Sequence, residues 1–77
     1  MPRFYFDSVL NGDTVNDFEG SDFDSRAVAR RQGVRTAADM ANDSQLDGDV
    51  RDIAVSVREG IEPVATIRLS LRIEDAA

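Results

Sequence analysis

The chain has 77 residues, with nine arginines and no lysine, histidine or cysteine, and its fifteen acidic residues set a formal net charge of −6. That inventory excludes a disulfide framework and a thiolate or imidazole metal site. It also opposes contact with nucleic acid or an anionic membrane, unless the charge is segregated on one face.

A chain of this length suits one domain over residues 1–77, with a small core and modest stability. No apolar run approaches a membrane span. No basic stretch followed by an apolar core opens the chain, so no signal peptide is expected and a cytoplasmic, acidic protein is.

Arg3–Leu10, "RFYFDSVL", is aromatic and then β-branched, which suits a strand. Phe4 and Phe6 share one face; Arg3, Tyr5 and Asp7 share the other. Asn11-Gly12 follows, the strongest short hairpin signal, because both central residues of such a turn need positive φ. The returning segment "DTVND" is short and polar, as an edge strand would be.

Phe18–Ser25 reads as a loop into a helix, with Asp22 as N-cap and Asp24 in the first turn. The helix is expected to end near Asn42. On a wheel, Ala27, Val34, Ala37, Ala38 and Ala41 fall in one sector, an alanine stripe that would lie close to a sheet. Arg30 and Arg31 flank it. Gly33 is anomalous there, costing about 1 kcal/mol relative to alanine.

Asp43–Ala54, "DSQLDGDVRDIA", imitates a calcium loop. Asp43, Gln45 and Asp47 alternate and Gly48 is sixth, but the twelfth position, where a bidentate Glu is needed, is Ala54. A strand pattern follows instead of a second helix. The segment is therefore read as a turn, with no metal and no cofactor assigned; whether Asp43–Asp49 binds calcium stays open at this point.

Beyond Gly48 the period changes to two. Ile53, Val55 and Val57 alternate with Asp52, Ala54 and Ser56, and "EGIEP" turns the chain. Then Ala65, Ile67, Leu69, Leu71 and Ile73 alternate with Thr66, Arg68, Ser70 and Arg72. The expected fold is α+β, in the order β-β-α-β-β: a four-stranded, mainly antiparallel sheet with one helix on one face. Strand order is not readable from the pattern.

The opening "MPRFYFD", the "NGD" turn, Asp17-x-Glu19-Gly20, "DFD", the Ala/Arg-rich helix, Asp47-Gly48 and "ATIRLSL" together resemble a family of short alphaproteobacterial proteins of the rhizobial type. These begin M-P-R-aromatic and have no known function. The resemblance implies no site residues.

Catalysis is not expected, because only Ser and Thr could attack and no imidazole or amine stands by as base. The uncovered sheet face would carry Arg3, Tyr5, Arg58, Arg68 and Arg72. Those five are the candidate binding residues of a small non-enzymatic interaction module, working through that face or through an edge strand. The expected partner is a protein of unknown identity or, through Val64–Ile73 as an edge, a second copy in a homodimer. The alternative is a regulator that binds single-stranded RNA, stacking bases on Tyr5 and holding phosphate with arginine.

Overall fold

The computed structural model describes residues 2–43 and 50–76. The expected α+β fold is found. β1 (Arg3–Leu10), β2 (Asp13–Val15) and β3 (Ser21–Asp22) precede α1 (Arg26–Asp43), and β4 (Val50–Glu59) and β5 (Glu62–Arg72) follow it. Every pairing is antiparallel, and the strand order is β2-β1-β4-β5. β3 is an addition to the expected four strands. Its two residues pair with Arg3 and Phe4, on the same edge of β1 that holds β2 further along.

Turn chemistry fixes both hairpins. Asn11 and Gly12 take φ of 49° and 90°, so both central residues are left-handed, as the Asn-Gly signal requires. Gly60 takes φ 61° at the head of the β4–β5 turn. The long register of β4 against β1 and β5 places Phe6, Ser8 and Leu10 opposite Val57, Val55 and Ile53, and these in turn opposite Ala65, Ile67 and Leu69; Phe4 stands opposite Glu59 on the same face.

That face is covered by α1. Phe4, Ala29 and Val57 are buried at one end, with Phe23 and Val64 against them. Ala37, Ile53 and Val55 are buried at the other, with Leu10, Met40 and Leu69. Phe6 and Ile67 border both clusters. Phe23 closes the first end, its ring 6.2 Å from Phe4 and edge-on to Phe6 at 5.7 Å.

Two expectations about the helix are corrected. Ser25 is the N-cap: its Oγ accepts the Val28 N–H at 3.2 Å. Asp22 lies instead in β3, and Asp24 precedes the helix, whose first turn holds no acidic residue. The buried stripe is Ala29, Gly33 and Ala37, bordered by Met40 and Ala41, whereas Val34 is 52% exposed and Ala27 and Ala38 face solvent. The helix is turned by roughly a quarter from the expected sector, counting 100° per residue. The four-residue spacing of its smallest side chains sets the contact, because only they admit a close approach to Val57 and Ile67.

Gly33 thereby gains a reason. A Cβ there would stand 2.7 Å from Ile67 Cδ1 and 2.8 Å from Val57 Cγ2. Arg51 also lies on the covered face, 3% exposed, with Nη1 directed to the Ala41 carbonyl at 3.4 Å in the last turn of the helix. A cation suits that end of the helix dipole. Half of the calcium-like segment, residues 44–49, lies outside the described residues; Ala54 is a strand residue of β4. No described helix is long and apolar enough to cross a membrane.

Candidate functional site

The sheet face opposite α1 carries all five candidate arginine and tyrosine positions on β1, β4 and β5. The structure divides them into two groups.

The first group lies near the β4–β5 turn and is held by contacts within the chain. Tyr5 and Arg58 are cross-strand partners, and the Arg58 Cζ stands 4.4 Å above the Tyr5 ring centre. Arg58 Nε donates to Asp7 Oδ2 at 2.9 Å, Nη1 to the Gly60 carbonyl at 2.7 Å and Nη2 to the Asp17 carbonyl at 3.1 Å. Arg3 donates from Nε to Asp22 Oδ1 at 3.2 Å and from Nη1 to the Glu19 carbonyl at 3.0 Å. Arg58 thus clamps the β4–β5 turn to the loop between β2 and β3. Phe18 and Ile61, the two most exposed large apolar side chains among the described residues, directly follow the residues whose carbonyls are clamped.

Asp17 explains that loop. Between β2 and β3 the edge of β1 lacks a backbone partner, and there Asp17 Oδ2 accepts the Phe6 N–H at 3.1 Å. Its Oδ1 accepts the N–H groups of Glu19 at 3.1 Å and Gly20 at 3.0 Å, while its own N–H donates to Asp7 Oδ1 at 2.9 Å. A side chain does the work of a missing strand residue. Gly20, at φ 72°, lets the loop press on β1, since a Cβ there would meet Arg3, the Phe4 carbonyl and Tyr5 at 2.9 Å each.

In the sequence Asp17 belongs to an acidic cluster with Asp13, Glu19, Asp22 and Asp24 whose pattern points only to hairpin, loop and cap chemistry, and the pattern gives Asp7 no role. The Asp17-x-Glu19-Gly20 spacing is a usable Asx-turn signal, but its reach to β1 is a tertiary fact.

Electrostatics follow this geometry. The Arg58 hydrogen bond holds the Asp7 carboxyl below its ordinary range. At Asp17 burial pushes upward, but the amides of Gly20, Phe6 and Glu19, together with the Arg58 charge, outweigh it and the group titrates low. The same contacts raise Arg58, and Asp22 raises Arg3. Both carboxyls therefore stabilise the fold fully above the unfolded carboxylate range near pH 4, and that contribution is lost as pH falls through their lower folded values. Acid unfolding followed by circular dichroism should shift to higher pH in Asp7→Asn.

The second group is Arg68 and Arg72, on the outer strand. Both are exposed, and neither makes a hydrogen bond or ion pair among the described residues. Arg68 borders a shallow depression with Val9, Gly12, Ala54 and Ser70, and Ser70 Oγ donates to Asp52 Oδ1 at 2.9 Å.

The backbone of β5 matters as much as its side chains. Asn11 N–H donates to the Asp52 carbonyl at 2.9 Å, and Asp52 N–H donates to Asn11 Oδ1 at 2.9 Å. Asp52 therefore faces β1. Backbone groups of successive strand residues point to opposite edges, so Arg51, Ile53, Val55 and Val57 face β5. Their partners Leu71, Leu69, Ile67 and Ala65 face back. The N–H and C=O groups of Thr66, Arg68, Ser70 and Arg72 consequently point outward, along an edge that pairs with no other described strand.

The family model described as Domain of unknown function (DUF6894) matches residues 3–70, and the chain belongs to that family. No curated protein and no solved structure matches the chain.

Proposed function

We propose that this DUF6894 domain is a small, non-enzymatic interaction module that recruits a protein partner by adding a strand to the outer edge of β5. The observation that carries the reading is the eleven-residue β5, paired with β4 alone among the described strands, with four consecutive outward-facing backbone positions from Thr66 to Arg72. An edge of that length is a template for an incoming strand. Arg68 and Arg72 stand beside it and would select a partner with acidic or polar side chains. Arg3, Tyr5 and Arg58, the remaining candidate residues, would shape the far end of the same face. The lack of histidine, cysteine and lysine supports a binding role over a catalytic one. With this reading we propose a cytoplasmic location, on the acidic composition and the lack of a signal-peptide pattern, and a rhizobial-type bacterial source, on the resemblance that begins at Met1-Pro2-Arg3.

Two proline substitutions test the edge. Proline removes one backbone donor. In Ser70→Pro the lost N–H is an outward one, so the domain should stay folded and lose its partner. In Leu69→Pro the lost N–H faces β4, and the domain should unfold. Affinity capture from a nuclease-treated lysate, with circular dichroism as the folding control, reads both. Capture unchanged by Ser70→Pro would reject strand addition at β5. Capture that vanishes with nuclease and falls steeply with salt would favour the RNA alternative, with Arg68 and Arg72 as the phosphate contacts.

A further inference from the structure

Resting on strand addition at β5, we propose that the incoming strand is β5 of a second copy, paired antiparallel about a two-fold axis at Leu71. The register follows from the residues themselves. Backbone direction requires outward-facing even-numbered positions to oppose one another, so the axis must pass through a residue position. Placed at Arg68 or Arg72, it sets each arginine against its own copy. Placed at Ser70, it sets Arg68 against Arg72 of the second copy. Like charges directly opposite are destabilising.

At Leu71 the charges agree. Arg68 faces Glu74 of the second copy, twice by symmetry, and Ser70 faces Arg72. On the other face Leu71 meets Leu71, and Leu69 meets Ile73. Those contacts cover an apolar pair that one chain alone leaves open, Leu71 at 37% and Ile73 at 41% exposure. An axis at Leu69 also avoids like charges, but it leaves Arg68 and Arg72 opposite Ser70 and Thr66 and sets Ile73 against the small Ala65. The two Arg72 side chains lie on a diagonal about 7–8 Å apart, in solvent, where their repulsion is screened. Ile73–Asp75, which follow β5 without strand pairing, would extend it in the dimer.

Sedimentation of the full-length chain over a wide concentration range tests the proposal, with circular dichroism confirming that each variant is folded. The wild type should dimerise. Arg68→Glu and Glu74→Arg should each weaken the dimer by about tenfold or more, and the charge-swapped double variant should return to within about threefold of wild type. Ser70→Pro should be monomeric. A wild-type dimer indifferent to both reversals would overturn the register. A wild type that stays monomeric overturns the second copy as partner. If Ser70→Pro then still abolishes capture of another protein, strand addition at β5 stands without the dimer; if capture is unaffected, both readings fall.

Discussion

Gly33→Ala should destabilise the domain by about 1 kcal/mol, although it exchanges a poor helix former for the best one. Helix propensity alone favours alanine by about 1 kcal/mol. The opposing effect is steric: the new Cβ would stand 2.7 Å from Ile67 Cδ1 and 2.8 Å from Val57 Cγ2. The Ile67 methyl ends a flexible side chain and can swing aside. Val57 is a β-branched, fully buried residue with little freedom, so the helix itself must retreat from the sheet. Overpacking of this kind costs about 1–3 kcal/mol, more than propensity returns. Gly33→Val should cost about 3 kcal/mol, since it adds two further methyls in the same gap. Urea denaturation of the three proteins decides it. A Gly33→Ala variant more stable than wild type would show that helix and sheet do not approach as closely as described.

The second large effect is expected at Asp17. Asp17→Ala removes the acceptor for three backbone N–H groups, those of Phe6, Glu19 and Gly20. The Phe6 amide lies in a partly buried stretch of β1, where an unmatched donor costs about 1–3 kcal/mol. The total loss should be about 2–4 kcal/mol, because the other two amides are nearer to water. Asp17→Asn should fall between. Its carbonyl oxygen can take the place of Oδ1 toward Glu19 and Gly20, but its amide would then present hydrogens to the Phe6 N–H. Hydrogen exchange at Phe6 gives the sharpest readout: it should quicken far more than at Val55 in the strand next door. Equal acceleration at the two sites would mean that Asp17 supports the whole fold and not the β1 edge. The variant should also lose part of the acid sensitivity of the wild type, since the carboxyl that titrates low is gone.

Local features of the chain were legible without the structure. The Asn11-Gly12 turn, the alternation of β1, β4 and β5, the single helix and the α+β class depend on residues within a few positions of one another. A two-residue turn needs positive φ, and a half-buried strand needs an apolar residue at every second position. The family resemblance rests on the same local signals, and so it points to no site.

The rotation of α1 was misread for a definite reason. A wheel ranks side chains by hydropathy, and Val34 outranks Gly33. Contact with the sheet is ruled by size, because Val57 and Ile67 already fill the space. Asp22, a good capping residue, is not the N-cap because it is drawn into pairing with Arg3 on β1. Asp17 and Arg58 illustrate the same limit: they are 41 positions apart, and only the tertiary fold brings the guanidinium to the Asp17 carbonyl.

The sequence by itself therefore determined four of the five strands, the single helix, the hairpin turns and which residues alternate on the long strands, because those follow from short-range backbone sterics and periodicity. Only the tertiary structure decided that β5 is an edge, since that position depends on pairings between distant segments. It placed β1 and β5 on either side of β4, tied Arg3, Tyr5 and Arg58 into the fold, and left Arg68, Arg72 and the outward backbone of β5 facing solvent.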